Sequence, residues 1–273
     1  MTGQAMQNRT TRSMYLIPYA LWIMLFVMAP LLLVLYYSFF NIEGDFTFSN
    51  YQKFFTPVYL QMTLSSFWYA FLITAISLLI AYPTALLLTR TRHKQLWLLL
   101  IILPSWINLL LKAYAFLGIF GTYGTANSFL EAIGIGSKQI LFTDFSFLFV
   151  SVYIFIPFMI LPIFNALDEL NPTLLDAAND LGASSWTTFK RVIFPLTLDG
   201  IKSGCQAVFI PALSLFMLTR LIAGNRVITL GTAIEQHFLV TQDWGMGSTI
   251  AVFLIIVMII IMFLTGNRKR GGV

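Results

Sequence analysis

The chain has 273 residues, 58% of them hydrophobic and only 10% charged, with a mean hydropathy of +0.83. So little charge at this length excludes an ordinary soluble domain and points to a polytopic membrane protein. The net charge of +5 does not indicate nucleic-acid binding, because the basic residues are spread along the chain rather than gathered in one patch. Cys205 is the only cysteine, which excludes an intrachain disulfide and a cysteine metal cluster.

A helix needs about 20 apolar residues to cross a bilayer. Six stretches qualify, near 15–40, 64–89, 95–120, 145–167, 201–218 and 245–266. They predict an all-α fold, one transmembrane domain over 1–273, with the fifth stretch giving the weakest signal. The first run is too long for the apolar core of a signal peptide and has no small-x-small cleavage site, so it is expected to be retained as a span. With six spans, Arg9, Arg12, Arg90, Arg92, Lys94, Lys190, Arg191, Lys202, Arg268, Lys269 and Arg270 fall on one side. Lys53, Lys138, Arg220 and Arg226 fall on the other. This bias predicts a multi-pass protein of the cell membrane with both termini in the cytoplasm.

Prolines recur inside the predicted spans, at Pro30, Pro83, Pro104, Pro157, Pro162 and Pro211. Most such prolines only bend a helix, but bends at Pro104, Pro157 and Pro211 are placed to shape a cavity or a gate. Lys112 is the one clear charge at membrane depth, where charge costs about 2.5–3.5 kcal/mol. It either snorkels, pairs with an acid across the bundle, or serves transport. Trp106 and Asn108 lie on the same span, and Tyr114 follows at i+8 from Trp106. An aromatic face holds an ammonium by cation–π attraction, so Trp106, Asn108 and Tyr114 are candidates for a substrate path, against ordinary helix packing. Asp168, at the end of the fourth span, is an interfacial carboxylate that could receive a departing cation.

The stretch 171–195, NPTLLDAANDLGASSWTTFKRVIFP, is a polar and amphipathic island between spans. Asn171 is placed to cap a short helix, with Pro172 at its first position. Leu174, Ala177, Ala178 and Leu181 form one apolar stripe, and Gly182 stands where a left-handed C-cap is needed. Ser184 starts a second short helix carrying Trp186, Phe189 and Ile193 on one face, which Pro195 is expected to close. By periodicity alone the island is either a helix at the membrane interface or a docking knob for another protein.

Several chemistries are missing. There is no Gly-x4-Gly-Lys-Ser/Thr phosphate loop, no His-Glu-x-x-His, and no credible Ser/His/Asp set. The chain is therefore not expected to be an enzyme or to hold a metal or cofactor, and energy must come from a partner or an ion gradient. A gradient-driven transporter would need carboxylates inside the spans, which the sequence lacks.

Asp176-Ala177-Ala178-x3-Gly182-x9-Val192-Ile193-Phe194-Pro195 resembles the Glu-Ala-Ala loop of ABC importer permeases. Its departures are Asp for Glu, Val for Ile and Phe for Leu. The resemblance extends to LPSWIN-LLLKAYAF, FIPALSLF and QDWGMGS, and is strongest to permeases of spermidine/putrescine importers. Two positions depart from those relatives: Asp199 replaces a common proline, and Arg220 stands where several carry an acid. The resemblance implies a MetI-like type I importer permease, with Asp176, Ala177, Ala178, Gly182 and Pro195 coupling to the ATPase. It also implies a dimer of ATPase subunits holding ATP and Mg, a second homologous permease, an extracellular binding protein and a polyamine substrate. Permeases for iron, thiamine or phosphonate share the same plan.

Overall fold

The computed structural model describes residues 16–224 and 226–266. Arg9, Arg12, Arg268, Lys269 and Arg270, which contribute to the topology bias, lie outside the described residues. Among the described residues the fold is helical, apart from an isolated antiparallel bridge between Phe40 and Phe46.

By their contacts the residues separate into two units. Of the described residues, the first comprises 16–56 and 234–255. Its helix Leu16–Tyr37 buries none of its most apolar 18-residue window within the chain, as befits a span whose solvent is lipid. Where this helix ends, freed backbone groups find side-chain partners. Asn50 Nδ2 donates to the Phe40 carbonyl at 2.8 Å, and Thr249 Oγ1 donates to the Ser38 carbonyl at 3.1 Å. The first bond ties the end of this helix to Ser49–Phe54, and the second ties it to the start of Trp244–Thr265.

Of the described residues, the second unit comprises 57–224, 226–233 and 256–266. Its core is three helices packed against one another, Pro57–Thr89, Asp144–Asp168 and Leu198–Leu213. Small residues make the close approach possible, since helices in lipid associate through packing rather than through the hydrophobic effect. Ser66, Ala70, Ser77, Ala81 and Ala85 are buried along one stripe of the first. Gly200 and Gly204, four apart, are buried on the third. A Cβ at Gly200 would lie 2.5 Å from Ala166 Cβ and 2.7 Å from the Pro162 carbonyl oxygen.

Among the described residues, five helices are long and apolar enough to cross a membrane: Leu16–Tyr37, Pro57–Thr89, Leu109–Ala132, Asp144–Asp168 and Trp244–Thr265. Two predicted spans are not single helices. The stretch 95–120 is helical over Lys94–Ile102, tightens to a 3₁₀ turn at Leu103–Trp106, and becomes extended at Ile107 (ψ 137°) before Leu109–Phe120 begins. The stretch 201–218 starts earlier, as Leu198–Leu213. It is interrupted at Ser214 and resumes as Met217–Leu221. Pro157 and Pro162, by contrast, sit inside one continuous helix.

Candidate functional site

The elbow at 171–195 is built by local capping chemistry. The Asn171 side chain accepts from Thr173 N–H at 3.0 Å, and Pro172 opens the helix Pro172–Asp180. That helix buries none of its residues. It ends in a Schellman motif: Gly182 N–H donates to Asn179 O at 2.8 Å, and Ala183 N–H donates to Ala178 O at 3.0 Å. Gly182 has φ +72°, the left-handed conformation the motif requires. Ser184 then accepts from Thr187 N–H at 3.3 Å and starts Ser185–Thr188.

One expectation fails here. Pro195 does not close the second helix but lies inside the next short turn, Phe194–Leu196. The preceding segment Phe189–Ile193 is π-helical, so Phe194 N–H reaches back to Phe189 O. That shift places Pro195 near the start of a new turn, where its missing N–H is tolerated. The chain breaks two residues later, at Thr197 (φ −97°, ψ 2°).

Asp176, Ala177, Gly182 and Pro195 are exposed, and Ala178 is half-buried. Leu174 and Leu181 are exposed as well, Leu181 at 88%. The predicted stripe is therefore an apolar ridge that the other described residues leave largely uncovered.

A residue that the sequence reading passed over, Tyr82, ties the elbow to the core. Its hydroxyl makes a 3.0 Å hydrogen bond with Thr197 Oγ1, and Thr197 Oγ1 also lies 3.0 Å from the Ile193 carbonyl it donates to. The rings of Phe189 and Phe194 stand 5.8 and 6.1 Å from its own, and Trp186 stacks on Phe189 at 5.5 Å. The bulky faces of the elbow thus pack on the buried Tyr82. Tyr82→Phe keeps the ring and should cost about 1 kcal/mol. Tyr82→Ala should cost about 3–5 kcal/mol through the void left under two phenyl rings. Thermal melts of the purified importer should rank the two variants in that order.

Asp168 lies at the end of Asp144–Asp168 and is ion-paired with Lys94. Both line a cleft of about 290 Å³ with Pro172 and Leu175 of the elbow. Each is about one third exposed, so the pair is solvent-screened and worth no more than about 1 kcal/mol.

The two helix interruptions meet at a cavity of about 350 Å³. Ser105, Ile107 and Leu109 border it at the first break. Pro211 and the segment Ser214–Met217 border it at the second. Phe155 and Phe158, on either side of Pro157, form a third wall. Lys112 points into this space, 8% exposed, and no acidic residue lines it. No hydrogen bond or ion pair joins the Lys112 side chain to another described residue, while its backbone N–H donates to Asn108 O at 3.2 Å.

The aromatic candidates do not reach the cavity. Trp106 is 76% exposed and Tyr114 58% exposed, and neither lines it. Asn108 has a local task, accepting from Leu110 N–H at 2.8 Å as the N-cap of Leu109–Phe120. The residues that line it at the second break, Ser214 to Met217, carry no charge, and the FIPALSLF stretch marked three of them only by resemblance, without a role.

Comparison with known proteins gives this geometry a family. The family model described as binding-protein-dependent transport system inner membrane component matches residues 75–268. The spermidine/putrescine transport system permease protein PotB of Haemophilus influenzae is 36% identical over 252 residues, covering 89% of this chain and 88% of that protein. PotB of Escherichia coli K12 is 35% identical over 259 residues, covering 91% and 94%. Among solved structures, a chain of a bacterial alginate ABC transporter in complex with alginate pentasaccharide-bound periplasmic protein superposes with a TM-score of 0.79. It is 16% identical and covers 98% of this chain and 97% of that one. With a ridge-bearing elbow, a cavity at two broken helices and this likeness along nearly its whole length, the chain belongs to the inner membrane components of binding-protein-dependent transport systems.

Proposed function

We propose that this ABC importer permease carries polyamines, spermidine or putrescine, and that ATP hydrolysis on a separate ATPase dimer drives it. The observation that carries the substrate reading is the likeness of about 35% to spermidine/putrescine permeases over about nine tenths of the chain. The exposed ridge of Leu174, Ala177 and Leu181 supports docking of the ATPase at the elbow, because small and apolar side chains let a partner backbone approach closely. Asp176, Ala178, Gly182 and Pro195 complete that coupling surface. A second permease and an external binding protein complete the importer. The elbow and both termini face the cytoplasm in this reading, as the Lys and Arg bias requires. Asp168, paired with Lys94, marks the inner end of the path.

The test is uptake by the importer reconstituted in vesicles with its ATPase, second permease and binding protein. Labelled spermidine should accumulate only with ATP, and unlabelled putrescine should compete. One observation favours a second reading: Lys112 puts a positive charge into the cavity, which suits an anionic solute such as a phosphonate. ATP-dependent uptake of labelled methylphosphonate, with none of spermidine, would replace the polyamine reading.

A further inference from the structure

A break in a membrane helix leaves carbonyls that the helix no longer satisfies, and in lipid such groups need donors from within the protein. At the second break, Leu215 and Phe216 both line the cavity. The donors for their carbonyls come from two stretches of chain. Thr219, on the resumed helix, gives its hydroxyl proton to the Phe216 carbonyl. Thr229, from beyond the following turn, donates to the Leu215 carbonyl at 2.6 Å. Both threonines are buried. Thr232 bridges them, its Oγ1 lying 2.8 Å from Thr219 Oγ1 and 3.1 Å from Thr229 Oγ1. With the protons of Thr219 and Thr229 committed to carbonyls, Thr232 can donate to only one of them at a time. Between Thr229 and Thr232 the backbone presses on the break itself: a Cβ at Gly231 would lie 2.3 Å from the Ser214 carbonyl oxygen. This backing is anchored in turn. Leu230 N–H donates to Ser66 Oγ at 2.7 Å, and Ser66 donates to the Met62 carbonyl at 2.8 Å within Pro57–Thr89. The broken segment thus borders the cavity and is gripped by an anchored stretch of chain.

We infer that Thr229 is a positioning residue for transport: its hydroxyl fixes the cavity wall at Leu215, and with it the shape that selects the solute. The identity of that solute rests on the polyamine reading; the hold on the wall does not. Without the Thr229 donor the Leu215 carbonyl is left buried and unpaired, which is the costly way to lose a hydrogen bond. The segment Ser214–Met217 then turns to find another donor, and the wall turns with it. A wall free to turn no longer distinguishes a short diamine from a longer triamine.

The experiment uses the complete importer in vesicles. Cys205→Ser removes the thiol of this chain, and Met217→Cys puts a reporter on the wall, with alkylation by N-ethylmaleimide read from the mass of this subunit. In that background Thr229→Val, which keeps the shape and removes the donor, should change the alkylation rate at least fivefold. Thr229→Ser should keep the parent rate. Thr232→Val leaves both carbonyl bonds in place and should move the rate less than twofold. With ATP and saturating loaded binding protein, the ratio of spermidine to putrescine uptake should shift at least threefold in Thr229→Val and stay put in Thr229→Ser. An alkylation rate that Thr229→Val leaves alone overturns the inference. So does a changed rate that Thr229→Ser shares, because the hydroxyl is then not what holds the wall. If Thr229→Val fails to assemble, Ser66→Ala decides, since it frees the backing at Leu230: an altered alkylation rate upholds the hold on the wall, and an unaltered one overturns it. Altered alkylation with an unshifted uptake ratio overturns the selective role and leaves Thr229 a structural residue. Wild-type vesicles that take up neither polyamine overturn the polyamine reading alone, because the alkylation rates judge the wall without any solute.

Discussion

Gly200→Leu is expected to abolish the folded permease. At this position the Leu198–Leu213 and Asp144–Asp168 helices touch backbone to backbone. The first added carbon would meet the Pro162 carbonyl at 2.7 Å and Ala166 Cβ at 2.5 Å. Neither atom belongs to a flexible side chain, so the helices must separate along their length rather than adjust locally. Overpacking a tight core costs about 1–3 kcal/mol or more, and separation also removes the close packing that holds a helix pair together in lipid. Gly204 supplies the contrast. Its Cβ would lie 2.8 Å from Met159 Sδ, part of a side chain that can turn away. In detergent extracts, Gly200→Leu should lose the monodisperse peak of the assembled complex, while Gly204→Ala should keep it with a lowered melting temperature. A monodisperse, wild-type melt for Gly200→Leu would show that this crossing does not hold the bundle.

The second large effect is expected at Gly182, for the opposite reason. A Cβ there meets nothing within 4 Å, so packing does not forbid a side chain. Conformation does. At φ +72° an ordinary residue pays about 1–2 kcal/mol, and a β-branched one more. Gly182→Val should release the Schellman bonds to Asn179 and Ala178 and change the angle between the elbow's two arms. Insertion and yield should remain normal, because the helix Pro172–Asp180 buries none of its residues and Gly182 itself packs against nothing. ATP-dependent uptake should fall at least tenfold, with loss of the substrate-stimulated component of ATP hydrolysis. Gly182→Asn, which tolerates the left-handed region, should retain most of the uptake. Wild-type transport by the valine variant would remove the elbow from the coupling route.

What could be read from sequence divides by the range of the interactions involved. The elbow was legible because Asn171, Pro172, Gly182 and Ser184 each act on backbone groups two to five residues away. Pro195 misled because its effect depends on the register of the turn before it, and the π-helical Phe189–Ile193 shifts that register. The spacing from Trp106 to Tyr114 misled in a related way. Counting eight residues along a helix assumes an unbroken phase, and the chain is extended at Ile107 and Asn108 between them. Lys112 stood out as a lone charge, but its aim into the cavity follows from that same break. Pro211 lines the cavity, and Pro104 precedes Ser105, which does. Pro157 lies between the wall residues Phe155 and Phe158 and does not interrupt the helix Asp144–Asp168. Tyr82 and the Gly200–Gly204 pair carry long-range roles, which no local pattern distinguishes from filler in an apolar run.

The stripe of alanine and serine on Pro57–Thr89 bears on how this bundle moves. Ser77, and Ser151 on Asp144–Asp168, have buried hydroxyls without a hydrogen-bond partner. The polar tie found between these two helices, Tyr69 to Asp144, sits at one extremity. Midway, among the described residues, no side-chain hydrogen bond joins the two helices. Such a seam lets one rod glide along the other with little friction, so a nudge delivered at one end can travel the length of the pair without unfastening it.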